Sequence, residues 1–344
     1  MRSMDRRQFL LAGSSLAATA SFAGLARAQS VTARVGYIPI VGTAPFFVAA
    51  GEGWLKQGGI ETAVTVFESG PNMIQALASG TIDVYVAGVA PLAVARSRGV
   101  DIRVVASTAV GENVVVTAPS LTRYFTDGIA PAAAFKAFRA ATGKPARLAT
   151  QPPGSVPDTV LEYWLWEVAK VDKADVAIVP MGIDATQQAI LAGAVDGGTV
   201  REPALTILQS RNPQIKLVAG GEEVFPGQPG TVVAVSGAFA TKNPDAVQAI
   251  VAGLVKAAAL IKSDPDKAAP HVAAALGKGI VDPALIRQAL VSPASRFEID
   301  PRRIIEPARA MQAYQVKLGS LDKEAPFDGL FETRYYERAV KAGG

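Results

Sequence analysis

Two stretches of the chain repeat one pattern: QALASGTID at 75–83 and QAILAGAVD at 188–196. In each stretch an apolar helical pattern stops at a glycine, Gly80 or Gly193, and Ile-Asp or Val-Asp opens the next apolar run. Glycine favours the left-handed C-cap of a helix because it carries no Cβ. The pattern therefore predicts a helix followed by a strand, once in each half of the chain.

Eight short runs rich in β-branched residues form two sets of four. The two sets are separated by nearly the same number of residues as the stretches at 75–83 and 188–196. The predicted strands are 34–38, 64–68, 83–87 and 103–107, then 147–150, 176–179, 197–200 and 215–219. Helical patterns alternate with these strands, which is typical of parallel sheets flanked by helices. We therefore predict an α/β protein of two lobes, each with a mostly parallel sheet flanked by helices.

The domain boundaries follow from the same repeat. We expect lobe 1 at 29–114, lobe 2 at 115–224, and a segment at 225–344 that returns to lobe 1 and completes it with C-terminal helices. The crossings are predicted near 110–118 and 220–232, where Gly220-Gly221 and the run from Pro226 to Gly230 supply flexible residues.

The N-terminal segment 1–28 carries most of the excess positive charge. The whole chain has 34 Lys and Arg against 30 Asp and Glu, a net charge of +4. Arg6-Arg7, a weakly apolar stretch and Ala26-Arg27-Ala28 are typical of a cleaved twin-arginine export signal. Its removal leaves a nearly neutral chain, so we expect a periplasmic protein that binds no nucleic acid and does not span the membrane.

Residue counts exclude several kinds of chemistry. The chain has no Cys and a single His, His271. Thiol nucleophiles, iron–sulfur clusters and cysteine-based zinc sites all require cysteine, and histidine clusters require more than one His. We therefore expect no catalytic residues, no metal and no cofactor.

Several predicted helices begin where ligands bind in a parallel sheet, at the carboxyl edge of the strands. Three starts share a Ser/Thr-x-Pro pattern, at Thr43-Ala44-Pro45, Ser69-Gly70-Pro71 and Ser155-Val156-Pro157, and Asp184 with Gln187 begins another helix in similar style. The hydroxyls are predicted to cap free backbone N–H groups. Such starts either serve as plain caps or form a cleft with convergent donors for an anionic or carbonyl-bearing solute.

The edge of the third strand differs between the two halves. The first half has Gly88-Val89-Ala90-Pro91, whereas the second has Arg201-Glu202-Pro203. A guanidinium presents a rigid fork for carboxylate, sulfonate or phosphate oxygens, and a carboxylate accepts from an amine. Arg201 and Glu202 therefore either contact the solute or pair across a closing interface.

Four longer stretches carry a resemblance to a known family. They are GYIPIVGTAPFFVAAGEGWLKQGG at 36–59, FESGPNMIQALASGTIDVYVAG at 67–88, PPGSVPDTVLEYWL at 152–165 and ILAGAVDGGTVREPA at 190–204. They resemble the substrate-binding proteins of nitrate/sulfonate/taurine-type ABC importers, in the wider NMT1-like group. The resemblance implies a type II periplasmic-binding fold that closes around a small solute.

The resemblance also implies the positions that line the cleft. They are Tyr37, Thr43, Ala44, Ser69, Gly70, Gly88, Val89, Gly154, Ser155 and the Glu202-Pro203 pair. One position departs from the pattern: many sulfonate and taurine binders have Trp before Glu-Pro, where this chain has Arg201. To these positions we add Val156, Asp184 and Arg201 as candidate ligand contacts.

The function expected from these features is capture of a small anionic or zwitterionic organic solute, sulfonate-like or carboxylate-like, and its delivery to an ABC permease and its ATPase. Alternatives are a pyrimidine or aromatic solute, or an exported ligand sensor outside transport. An enzyme is not expected, because no paired-carboxylate motif stands out. We expect the mature protein to be a monomer.

Overall fold

The computed structural model describes residues 30–276 and 281–343. The predicted export signal at 1–28 lies outside the described residues. Residues from Val31 onward form one compact unit.

Ten strands in the described residues form two five-stranded sheets. They are β1 (Val31–Tyr37), β2 (Ile60–Val66), β3 (Val84–Gly88), β4 (Ile102–Ser107), β5 (Val114–Thr117), β6 (Ala146–Thr150), β7 (Val176–Pro180), β8 (Gly197–Val200), β9 (Lys216–Ala219) and β10 (Thr231–Ser236). The strand orders are β2-β1-β3-β10-β4 in lobe 1 and β7-β6-β8-β5-β9 in lobe 2. Each sheet combines parallel pairs with one antiparallel strand, so the predicted two-lobed α/β fold is confirmed.

The repeat extends to individual hydrogen bonds. The Arg34 N–H donates to the Asp83 carboxylate at 3.1 Å, and the Arg147 N–H donates to the Asp196 carboxylate at 2.9 Å. The two arginines occupy equivalent positions in the repeat, and so do the two aspartates. In each lobe the Asp that follows the helical C-cap therefore ties the third strand of the repeat to the first.

All eight predicted strands are present, and two further strands were not predicted. The valine-rich runs of β5 and β10 lie in or directly after the predicted crossings, and each pairs antiparallel with its neighbours. Strand β2 also begins earlier than predicted, at Ile60. The strands β5 and β10 were missed because neither belongs to the two repeated sets of four strands. Each of them follows a crossing and enters its sheet directly from the other lobe.

The two crossings, residues 108–113 and 220–230, are bound to each other. Gln228 is fully buried, and its side chain accepts from the Asn113 backbone N–H at 2.8 Å and donates to the Asn113 carbonyl at 3.1 Å. A Cβ on Gly221 would lie 2.1 Å from the Gly111 carbonyl oxygen. Glycine at position 221 therefore lets the crossings touch, as a hinge of two adjacent strands requires.

Eight α-helices lie between residues 44 and 191. They are α1 (Ala44–Gly51), α2 (Trp54–Gln57), α3 (Gly70–Ala78), α4 (Ala90–Ser97), α5 (Pro119–Thr122), α6 (Pro131–Thr142), α7 (Val156–Tyr163) and α8 (Ile183–Leu191). A π-helical turn, Trp164–Val168, continues α7, and Trp164 is fully buried.

The remaining helices are α9 (Ala204–Arg211), α10 (Gly221–Val224), α11 (Gly237–Lys242), α12 (Pro244–Ser263), α13 (Pro265–Leu276), α14 (Pro283–Leu290), α15 (Ile305–Leu318) and α16 (Arg334–Gly343). Among the described helices, only α12 is long and apolar enough to cross a membrane. Val247, Ile250 and Leu254 of α12 are fully buried in the core of lobe 1, which is the role of a core helix in a globular protein.

Helix α15 contacts both lobes. The Gln315 amide donates to the carbonyls of Ala90 in lobe 1 and Gly154 in lobe 2, and the Tyr314 hydroxyl donates to the Glu162 carbonyl of α7. This helix therefore connects the lobes on a path separate from the two crossings.

Candidate functional site

The carboxyl edges of the two sheets face each other at short range. A Cβ on Gly88 would lie 2.8 Å from Cγ2 of Val156, which belongs to the opposite lobe. The backbone N–H of Val41 donates to the Glu202 carbonyl at 2.8 Å, again from lobe 1 to lobe 2. The two lobes are therefore in direct contact at the inner part of the cleft.

A cavity of about 640 Å³ opens from this contact, with walls from both lobes. Lobe 1 contributes Pro39, Val66 and Glu68 with parts of α13 and α14, and lobe 2 contributes the first turn of α8 and the segment from Arg201 to Ala204. The size matches that of small-molecule sites, which occupy roughly 300–1,000 Å³. An organic solute therefore fits between the lobes.

Arg201 forms the buried wall of this cavity. It follows β8 directly, is 3% exposed, and places Nη1 3.8 Å from Oε1 of Glu112, which is also 3% exposed. Among the described residues, Arg201 Nη2 and Glu112 Oε2 have no hydrogen-bond partner. Burial raises the pKa of Glu112 and lowers the pKa of Arg201, since desolvation disfavours both charged forms.

Glu112 is held from three sides. Thr231 donates its hydroxyl to Glu112 Oε1 at 2.6 Å. A Cβ on Gly42 would lie 2.2 Å from Glu112 Oε2, and one on Gly230 would lie 2.9 Å from Oε1. Glu112 belongs to the first crossing, so the guanidinium of lobe 2 is paired with a residue of that crossing.

Glu202 has a local structural role. Its carboxylate accepts from the backbone N–H and the hydroxyl of Thr206, each at 3.0 Å, at the start of α9. Desolvation by burial raises the pKa of Glu202. The carboxylate of Glu202 therefore caps α9, while its backbone carbonyl binds lobe 1 through Val41.

The helix starts follow the capping prediction at two of four positions. Ser69 accepts from the Asn72 N–H at 3.4 Å, and Ser155 accepts from the Asp158 N–H at 3.3 Å. The capping prediction for Thr43 is wrong, because its hydroxyl donates to the Ile40 carbonyl at 2.7 Å within a 3-10 turn that precedes α1. The prediction for Asp184 is also wrong, since α8 begins at Ile183 with Gly182 as its N-cap residue.

Asp158 is a buried acid under the start of α7. Its Oδ2 accepts from the Gly154 N–H at 3.3 Å, one residue before the N-cap residue Ser155, whose N–H is the acceptor's partner in a standard capping box. Burial, with a smaller contribution from the Glu162 charge, raises the pKa of Asp158 to about 7. The α7 start therefore already holds a carboxyl group of its own, which reduces its capacity to bind an anion.

Three of the predicted positions, Asp184, Arg201 and Glu202, line the cavity. Gly88 and Val156 meet across the lobes. The other predicted positions do not line the cavity and are buried; they are Thr43, Ala44, Ser69, Gly70, Val89, Gly154 and Ser155. Tyr37 lies apart from them: it packs against Phe47 in the lobe 1 core, and its hydroxyl donates to the Ala275 carbonyl.

Three residues of this region were not singled out from the sequence. Glu112 lies in a predicted crossing, Glu68 lies at the end of a predicted strand, and Tyr85 is a fully buried strand residue whose hydroxyl donates to the Gly88 carbonyl. The sequence offered one signal for Glu112, an isolated acid two residues before the valine run of β5. Its partner Arg201 lies in the other half of the repeat, so no local pattern connects the two.

Known proteins share this architecture. The periplasmic nitrate-binding protein NrtA from Synechocystis PCC 6803 superposes with a TM-score of 0.76 at 15% identity, over 91% of this chain and 89% of that one. The alkanesulfonate-binding protein SsuA from Xanthomonas axonopodis pv. citri, bound to MOPS, superposes with a TM-score of 0.71 at 19% identity, over 89% of this chain and 99% of that one. Identities this low show a common fold.

Sequence comparison identifies the family. A protein of Brucella abortus (strain 2308) whose name classes it among binding proteins is 26% identical over 268 residues, which are 77% of this chain and 76% of that protein. The profile described as the NMT1-like family matches residues 26–277, well over half of the chain. With the two-lobed fold and the cleft described above, this match shows that the chain belongs to the NMT1-like family.

Proposed function

We propose that the mature chain is the periplasmic solute-binding component of an ABC importer. In this proposal a small anionic or zwitterionic organic solute binds between the two lobes and is delivered to a permease and its ATPase. The protein acts by binding alone, without a catalytic step. The family match and the nitrate-binding and alkanesulfonate-binding structural neighbours support this role.

The observation that carries the proposal is the free donor on Arg201. A guanidinium that is almost fully removed from water loses its hydration, and a contact of 3.8 Å to Glu112 replaces only part of it. Nη2 is sealed from water in the described arrangement, so in this proposal the lobes move apart before an oxyanion of the solute supplies the missing charge-assisted hydrogen bond. The cavity that Arg201 lines is large enough to hold an organic acid.

The hinge and the interface between the lobes support capture by closure. The crossings at Asn113 and Gln228 form one bonded pair, and the lobes meet through Val41 and Glu202 at the cleft. Rotation about two adjacent crossings opens and closes such a cleft around a ligand. A permease would then distinguish the closed form from the open form.

The proposal is tested on the full chain expressed with its signal and purified from the periplasm. We infer that residues 1–28 direct export by the twin-arginine route, so N-terminal sequencing should give Gln29, and changing Arg6 and Arg7 to Lys should abolish periplasmic recovery. A thermal-shift screen of sulfonates, carboxylates, amino acids and pyrimidines should then identify a solute that raises the Tm, because binding to the folded state stabilises it.

A solute at 100 times its Kd should contribute about 3 kcal/mol to the free energy of unfolding. If no solute of any class raises the Tm or gives a calorimetric isotherm, the proposed function is wrong.

A further inference from the structure

One long segment of the chain leaves lobe 1, reaches lobe 2 and returns to lobe 1. Before helix α15, the Ser107 N–H of β4 donates to the Ile299 carbonyl at 3.2 Å. After α15, the Val104 N–H of β4 donates to the Leu330 carbonyl at 2.6 Å. Residues 300–329, here called the arm, are therefore fixed at both ends to one strand of lobe 1, and α15 forms their middle.

The C-terminal half of α15 lies on α7 of lobe 2 and on the π-helical turn that continues it. The Tyr314 hydroxyl donates to the Glu162 carbonyl at 3.2 Å, and its ring centroid lies 5.0 Å from that of Tyr163. The Lys317 ammonium donates to the Glu167 carboxylate. Polar and aromatic contacts together therefore hold the middle of the arm on the lobe opposite its ends.

Gln315 of α15 bonds to both lobes with one amide group. The side chain is fully buried, and Nε2 donates to the Ala90 carbonyl of lobe 1 at 3.4 Å and to the Gly154 carbonyl of lobe 2 at 3.3 Å. These carbonyls flank the place where Gly88 of lobe 1 meets Val156 of lobe 2. When the lobes separate there, a single amide cannot keep both bonds.

The arm lies apart from the candidate solute cavity. The described lining of the cavity of about 640 Å³ contains no residue of the arm, of α4 or of α7. Substitutions in α15 therefore leave the walls of that cavity unchanged. Their effect on the protein comes through the position of one lobe relative to the other.

We infer that the arm is a latch: its contacts with α4 and α7 stabilise the closed arrangement of the lobes without solute and break when the cleft opens. This inference rests on the proposed function, because it takes closure of the lobes as the working motion. Rotation about the two crossings moves α7 relative to β4, to which both ends of the arm are bonded. The latch thereby lowers the fraction of open molecules, which are the ones that a solute can enter.

The test measures the distance across the mouth of the cleft in the ligand-free protein by pulsed electron spin resonance. Thr65→Cys in lobe 1 and Ala185→Cys in lobe 2 carry the spin labels; both positions are exposed, neither lines the cavity, and the chain has no other Cys. The parent should show mainly the short distance. Tyr314→Phe combined with Lys317→Met should raise the ratio of long to short distances ~3-fold or more, since one hydrogen bond is worth a factor of about 2–10. Gln315→Leu should raise it as well.

The matched control is Arg309→Met on the same helix. Its guanidinium lies 4.6 Å from the ring centroid of Phe327 and 3.7 Å from the Glu306 carboxylate, both within the arm, so the ratio should stay that of the parent. The Tm shows that each variant is folded, and the variant of Tyr314 and Lys317 keeps the aromatic ring and the aliphatic stem. An unchanged ratio in that folded variant, an equal rise in the control, or a parent with only the long distance would each overturn the inference. No solute enters the experiment, so its outcome is separate from that of the solute screen.

Discussion

The carboxyl edges of the third strands, β3 and β8, show how two lobes of one topology differ in chemistry. In lobe 1 the edge is Gly88-Val89, small and neutral, and it approaches Val156 so closely that a Cβ has no room. In lobe 2 the equivalent edge is Arg201-Glu202, two charged residues that are each 3% exposed. The two halves of the repeat thus share their strand order. At the edges of their third strands, however, the charged residues are found only in lobe 2.

The first turns of the helices that follow β1 and β6 show the same asymmetry. Helix α1 has the fully buried Phe46, whereas the corresponding position in α7 is Asp158, a buried acid. Lobe 1 therefore supplies a neutral surface for close approach, and lobe 2 supplies the buried charge. At both pairs of equivalent positions the buried charge therefore lies in lobe 2.

The largest expected effect comes from removing the charge of lobe 2. Arg201→Ala should lower the free energy of unfolding by about 3–5 kcal/mol, because Glu112 would be left as an unpaired buried carboxyl. Urea denaturation of the ligand-free protein measures this change.

The matched control for that variant removes both charges. Arg201→Met combined with Glu112→Gln should unfold within about 1 kcal/mol of the parent, since a neutral pair replaces a buried ion pair at little cost. The double variant lacks the guanidinium, so its affinity for the solute should fall by a factor of ~10 or more. Because it keeps its fold, this loss would not be due to unfolding. Equal stability of Arg201→Ala and the parent would contradict the pairing.

The next effect comes from adding bulk to lobe 1. Gly88→Ala should cost the closed arrangement about 1–3 kcal/mol, as overpacking does, because its Cβ would meet Val156 Cγ2. The lobes can relieve this clash by opening, so small-angle X-ray scattering should show a larger radius of gyration. Adding Val156→Ala should restore the parent value; an unchanged radius in Gly88→Ala alone would show that this contact does not limit closure.

A further effect, confined to high pH, concerns the buried acid of α7. Burial raises the pKa of Asp158 to about 7, so the folded protein holds a proton that the unfolded chain releases near pH 4. Stability due to this group is therefore greatest at low pH and falls as the pH rises toward 7. Asp158→Asn should be more stable than the parent by about 3–4 kcal/mol at pH 8.

The same substitution should have little effect at low pH. At pH 4 the carboxyl of the parent is protonated, and the Asn side chain can still accept from the Gly154 N–H. Thermal unfolding of both proteins from pH 4 to pH 8 measures the difference. A difference that does not change with pH would show that Asp158 keeps its ordinary pKa.

Sequence reasoning predicted the local features of the fold, and three of the candidate positions, Asp184, Arg201 and Glu202, line the cavity. The internal repeat located all eight of its strands, and glycine at the helix ends marked the Asp residues that bind Arg34 and Arg147. It did not find β5 and β10, because a strand that pairs antiparallel with distant neighbours has no sequential partner to reveal it. Sequence reasoning also assigned a cap to Thr43, where a 3-10 turn instead satisfies the hydroxyl.

The sequence by itself determined the two-lobed α/β architecture, because alternating helix and strand patterns, glycine caps and an internal repeat are properties of short stretches. Only the tertiary structure decided that Arg201 pairs with Glu112 and that Glu68 shares a cavity with Asp184. These pairs join residues far apart in the chain. Whether their charges interact depends on the burial of the side chains and on the distance between them. Periodicity specifies which face of an element is apolar, whereas the contacts between lobes depend on how the complete chain crosses and closes.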